Sequence, residues 1–140
     1  MIKLSKMSDH ALALCAALSR EPLATRAAGE WARQSGLNEA TATKILKLLR
    51  AAGICESRRG KSGGYKMARQ PECVSFLAVI EAVDGPVAFA DCAPGGKGCV
   101  SEPSCAVRPH AAKLGGGMRD LLAAQTLASL TRPQGGHHGQ

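Results

Sequence analysis

A chain of 140 residues, 45% hydrophobic but with only four aromatics, is long enough for one domain plus an appendage and too short for two ordinary domains. Its formal charge of +7 is lopsided: residues 1–70 hold 13 Lys and Arg against 5 Asp and Glu, while residues 71–140 hold 5 against 6. A basic half points to a polyanion partner, most often nucleic acid; with no run near about eighteen apolar residues and no cleavage site after the short N-terminal apolar stretch, a cytoplasmic protein without a membrane partner is predicted.

In chain order, Ser8 or Asp9 can cap a first helix reaching Arg20, which Pro22 ends. A second helix fits residues 26–34, with Thr25 as N-cap and Trp31 as its largest buried anchor. Gly36 tolerates the positive φ of a tight turn, and Asn38 can cap a third helix running to Ala52. On that helix Ala42, Ile45, Leu46 and Leu49 form one apolar face, leaving Thr41, Thr43, Lys44 and Lys47 to point outward. Helix, short glycine turn and helix with a short-polar and lysine outer face describe a reader of the DNA major groove.

Residues 54–57 and 65–68 are strand-like and flank Arg58, Arg59, Gly60, Lys61, Ser62, Gly63 and Gly64. This predicts a β-hairpin with a basic, glycine-rich tip, and its position directly after a helix-turn-helix makes it a wing. A fourth helix starts near Ser75 and buries Phe76, Val79, Ile80 and Val83 before Asp84-Gly85-Pro86.

Cys92, Cys99 and Cys105 fall in a glycine- and proline-rich stretch, residues 91–110, with no periodicity of its own. In a reducing compartment such thiols are free or bind metal, and this spacing predicts a metal centre. Cys15 falls on an apolar helix face and Cys55 in a strand-like run, and both read as structural, whereas Cys73 carries no readable role. A last helix from Ala111 to about Leu130 has an apolar stripe of Leu114, Met118, Leu121, Leu122 and Leu130 that a second copy of the chain would cover. Gly115-Gly116-Gly117 weakens it, so fraying or a start at Met118 is an alternative. The tail beyond Arg132 reads as disordered.

The ordered strings LSKMSDHALAL, SGLNEATATKILKLLRAAGI, SRRGKSGGYKMAR, IEAVDGP and C-APGGKG-C-VSEPS-C-AVRPH resemble the winged-helix, iron-sulfur regulators that include IscR and NsrR. The branch regulating the SUF iron-sulfur assembly system is the most similar, and the resemblance spans roughly residues 1–131. It implies a mainly α fold with a small β wing: a winged helix-turn-helix over residues 1–85, a cluster-binding loop over 86–110 and a dimerisation helix over 111–131. By the same resemblance Cys92, Cys99 and Cys105 are the thiolate ligands of an iron-sulfur cluster, [2Fe-2S] ahead of [4Fe-4S].

IscR-like members carry a His three residues after the third Cys, but Arg108 stands there and the nearest His is His110. In the VRP branch that position is usually Asn. NsrR-like members use an Asp near the N-terminus, supplied by the partner chain, and Asp9 matches it; Asp9 therefore ranks first as fourth ligand and His110 second. The resemblance also puts the third helix in the major groove and the wing in the minor groove, with Thr41, Thr43, Lys44 and Lys47 on groove or backbone, Arg59 inserted, and Arg58 and Lys61 on phosphate. IscR has a discriminating Glu where this chain has Thr43, so its target rules do not carry over.

The implied function is a homodimeric transcription regulator, a repressor of iron-sulfur assembly genes, controlled by its cluster. Nitric oxide sensing through the same cluster is the alternative signal. A structural zinc site fits less well, because zinc modules pair their cysteines two to four residues apart and here six and five residues intervene. No Ser/His/Asp set or phosphate-binding glycine loop suggests an enzyme.

Overall fold

The computed structural model describes residues 2–99 and 104–132. The expected tail beyond Arg132 and the middle of the cysteine loop lie outside the described residues. In order, α1 spans Lys6–Arg20, α2 Ala28–Ser35, α3 Glu39–Ala51, β1 Cys55–Arg58, β2 Gly64–Met67, α4 Phe76–Asp84 and α5 Arg108–Ala124. Short 3-10 turns at Pro71–Cys73 and Leu127–Leu130 complete it.

Helix α1 starts earlier than the sequence predicted. Ser5, not Ser8 or Asp9, is its N-cap, its hydroxyl accepting from the Ser8 amide at 3.0 Å. Ser8 is instead buried, and its hydroxyl and that of Ser5 both donate to the Asp84 carboxylate at the end of α4. A carboxylate at a helix C-terminus opposes the helix dipole, and two hydroxyl donors offset that cost.

Helix α2 also differs. It begins at Ala28 behind Ala27, without a side-chain cap, because Arg26 is drawn into the sheet instead. The Arg26 amide donates to the Tyr65 carbonyl at 3.2 Å, and the Tyr65 amide returns a bond to the Arg26 carbonyl at 2.8 Å. This close pairing needs Gly64, since a Cβ there would lie 2.1 Å from the Arg26 oxygen.

The turn and the third helix match their sequence signals. Gly36 adopts φ 73°, the Leu37 amide reaches back to the Ala32 carbonyl, and the Asn38 side chain accepts from the Thr41 amide at 2.8 Å. β1 and β2 pair antiparallel, with Glu56 opposite Lys66 and an ion pair of 3.2 Å between them. Trp31, Leu14, Leu18, Ile45, Leu46, Leu49, Ile54, Val74 and Val79 fill one core shared by α1 to α4 and the hairpin.

The last helix begins at Arg108, ahead of the expected Ala111, and runs through Gly115-Gly116-Gly117 without a break, so it does not start at Met118. It stops at Ala124 rather than near Leu130. Leu127 is fully buried in the common core, its amide bonded to the Val74 carbonyl, and the chain must leave the α5 axis to deliver it there. Of the helix α4 residues expected inside, Val79 and Ile80 are buried, while Phe76 and Val83 are half-buried against the core. No helix among the described residues is long and apolar enough to cross a membrane.

Candidate nucleic-acid interface and cysteine loop

Helix α3 presents Lys44, Lys47 and Arg50 to solvent, with Thr41 and Thr43 half-buried beside them. The tip between β1 and β2 presents Arg58, Arg59 and Lys61, all exposed. Among the described residues none of these lysines and arginines has an ion-pair partner, whereas Arg26 pairs with Glu21 and Glu30 and Lys66 with Glu56. The basic groups on α3 and the tip are therefore held out without internal neutralisation, as binding to phosphates requires.

The tip is fixed to the helices rather than hanging free. Trp31 donates from Nε1 to the Tyr65 carbonyl at 2.8 Å, and the Arg26 guanidinium lies 5.7 Å from the Trp31 ring centre. Within the tip the Gly63 amide closes a turn onto the Gly60 carbonyl at 3.0 Å, and Gly60 has φ 106°.

The cysteine loop is wound on itself and seated on α5. Amides of Ala93, Gly96 and Gly98 bond to carbonyls of Ala90, Ala93 and Asp91 at 2.9, 2.9 and 2.8 Å. Ala93 is buried, and a Cβ at Gly115 of α5 would lie 3.4 Å from the Cβ atoms of both Ala93 and Phe89. Cys92, next to this contact, is half-buried, and Cys99 is exposed. Cys105 is half-buried at the start of α5, its carbonyl accepting from the Arg108 amide.

Asp9 is exposed in the first turn of α1 and His110 exposed in the first turn of α5. Among the described residues no three of the Cys, His, Asp and Glu side chains stand close enough together to hold a metal ion. The donor set itself suits iron-sulfur chemistry, being soft sulfur on an irregular, glycine-rich segment.

Cys15 and Cys55 are buried in the common core, as their apolar settings predicted. Burial, with Cys55 beside it, pushes the Cys15 thiol well up, and burial pushes Cys55 up to about 12. Cys73 is exposed on its 3-10 turn.

Two contacts had no signal in the sequence. Arg119 of α5 donates to the Glu81 carboxylate of α4 and to the Val87 carbonyl at 3.0 Å, and Glu81 also accepts from the Val87 amide at 3.1 Å. The Asp84 contacts to Ser5 and Ser8 were equally invisible, because each joins residues far apart in the chain.

Solved structures share this fold. CymR (YrzC), described as the global cysteine regulator of B. subtilis, aligns with a TM-score of 0.76 at 21% identity, over 94% of this chain and 97% of that one. T. potens IscR aligns with a TM-score of 0.72 at 21% identity, over 92% and 85%. In sequence, Protein aau3 of Rhizobium meliloti is 29% identical over 95% of this chain and 88% of its own length. The HTH-type transcriptional regulator IscR of Cereibacter sphaeroides is 42% identical over 41% of this chain and 37% of its own. Residues 4–133 match the family described as "Rrf2: Iron-dependent Transcriptional regulator", so the chain belongs to the Rrf2 family of helix-turn-helix transcriptional regulators.

Proposed function

We propose that this regulator is a homodimeric repressor whose operator affinity is set by an iron-sulfur cluster held on its cysteine loop, and that its targets include iron-sulfur assembly genes. The carrying observation is that Cys92 and Cys105 bracket a loop fixed to α5 at one end by the Ala93 contact with Gly115 and at the other by the helix start. Cys92, Cys99 and Cys105 would supply three thiolates, with the partner's Asp9 as fourth ligand ahead of His110. A non-thiolate fourth ligand leaves a [2Fe-2S] centre, the preferred form over [4Fe-4S], easier to lose or oxidise than four thiolates would, which suits a sensor.

The protein's part is mechanical and electrostatic. Thr41, Thr43, Lys44 and Lys47 of α3 would meet the major groove and its phosphates, Arg59 the minor groove, and Arg58 and Lys61 the backbone. Two such units fit one operator only when their recognition helices sit about 34 Å apart. Dimer geometry therefore controls affinity.

The dimer reading is supported by Leu114 and Leu121, which α5 leaves 54% and 72% exposed. Next to them Met118 and Leu122 line an apolar groove of about 460 Å³ together with Ile2, Leu4 and Ile80. A second α5 would cover this face.

Anaerobic isolation with iron, acid-labile sulfide and zinc analysis tests the reading. Iron and sulfide in equal amounts, lost in Cys92→Ser, Cys99→Ser and Cys105→Ser, are expected. Stoichiometric zinc without sulfide after reconstitution would replace the cluster with a structural zinc site, and selective cluster loss to nitric oxide at stable iron status would select the alternative signal.

A further inference from the structure

Helix α5 has two attachments with different partners. Its C-terminal end is stitched to the start of α4, the Phe76 amide bonding to the Gln125 carbonyl and the Leu127 amide to Val74, each at 2.9 Å. Its N-terminal half carries the cysteine loop through Gly115. Arg119 lies between the two, and its guanidinium reaches the loop's first residues and α4 at once.

Three backbone and side-chain groups converge there. Glu81 accepts from both Arg119 and the Val87 amide, and Arg119 also donates to the Val87 carbonyl, so both backbone polar groups of Val87 are held. Three residues beyond Glu81, Asp84 accepts from Ser5 and Ser8 at the start of α1. A displacement of the loop at Val87 is therefore coupled by polar contacts to Glu81 of α4 and, through the last turn of that helix, to Asp84 and its bonds to α1 within the DNA-binding unit.

A plain surface ion pair would contribute little, particularly as the Arg119 and Glu81 side chains are 32% and 29% exposed. Nor would such a pair need the Val87 carbonyl. Both bonds leave the one nitrogen Nη1, whose two hydrogens are fixed in the guanidinium plane, an orientation that the freely rotating donors of an ammonium do not hold. We infer that Arg119 is a positioning residue that transmits the state of the cysteine loop to the DNA-binding unit. The inference rests on the cluster reading above.

The test compares operator affinity with and without the cluster, using a duplex selected from a random-sequence pool by the holo protein. The ratio of the two affinities is measured for wild type, Arg119→Lys, Arg119→Gln and, as a control for loosened packing, Ile54→Val in the common core. Arg119→Gln should reduce the ratio about five-fold or more, Arg119→Lys less, with the visible absorption of the cluster unchanged and Ile54→Val keeping the wild-type ratio. A wild-type ratio in a folded Arg119→Gln protein overturns the inference, as does an equal fall in Ile54→Val at matched thermal stability. If Arg119→Gln does not fold, Arg119→Lys decides alone, an unchanged ratio overturning the inference. A wild type that takes up no cluster, or binds DNA equally in both states, overturns the cluster reading itself and this inference with it.

Discussion

The indole of Trp31 donates to the carbonyl of Tyr65 at 2.8 Å, joining the helix before the recognition helix to the inner strand of the wing. With the Arg26 and Tyr65 backbone pair, it makes helix-turn-helix and wing one body. Trp31→Phe keeps most of the buried volume and removes the donor. Loss of that bond and part of the ring should cost about 1–3 kcal/mol of stability, measured by urea unfolding. An unchanged midpoint would show that the wing does not depend on this contact.

On a specific operator, Arg59→Ala should lose about 1–3 kcal/mol, and Lys47→Ala should weaken specific and random DNA alike while lowering the salt slope by about one. Titrations across a salt series read both. Equal behaviour of the two variants would mean that Arg59 touches phosphate only.

The buried thiols give a pH dependence of known sign. Cys15 and Cys55 hold their protons more tightly when folded than when unfolded, where thiols titrate near their ordinary value of 9.0. The folded state therefore binds more protons above that pH, and stability falls as pH rises above about 9, the Cys55 contribution by about 1.4 kcal/mol per unit until about 12 and the Cys15 contribution in the same direction. Below pH 9 neither contributes a slope. Chemical unfolding of wild type and Cys55→Ala between pH 8 and about 10.5 should show a shallower fall in the variant; parallel curves would contradict the assignment.

Gly116 occupies a helix interior with no atom within 4 Å of where a Cβ would stand. Gly116→Ala should stabilise the protein by up to about 1 kcal/mol, while Gly115→Ala presses on Ala93 and Phe89 and should gain less or lose. Thermal unfolding of the two variants separates them, and equal gains would show that the loop does not seat on Gly115.

Much of this architecture is written locally. Asn38 and Gly36 act through bonds within a few residues, so the turn and the start of α3 follow from composition and spacing. The missed boundaries have non-local causes. Ser5 replaced Ser8 as cap because Asp84 draws Ser8 inward, Arg26 left α2 for Tyr65, and α5 ended early so that Leu127 could enter the core. Cysteine spacing identified the loop, yet its seat at Gly115 and the Arg119 junction depend on packing between segments distant in the chain.

The most direct measurement is the affinity of a selected operator duplex for cluster-loaded and cluster-free protein at one fixed salt concentration, under anaerobic conditions. A difference of about ten-fold or more that disappears in Cys92→Ser is predicted, equivalent to about 1.4 kcal/mol of coupling. Equal affinity in the two states, with iron and sulfide present in one, would contradict the claim that the cysteine loop governs DNA binding.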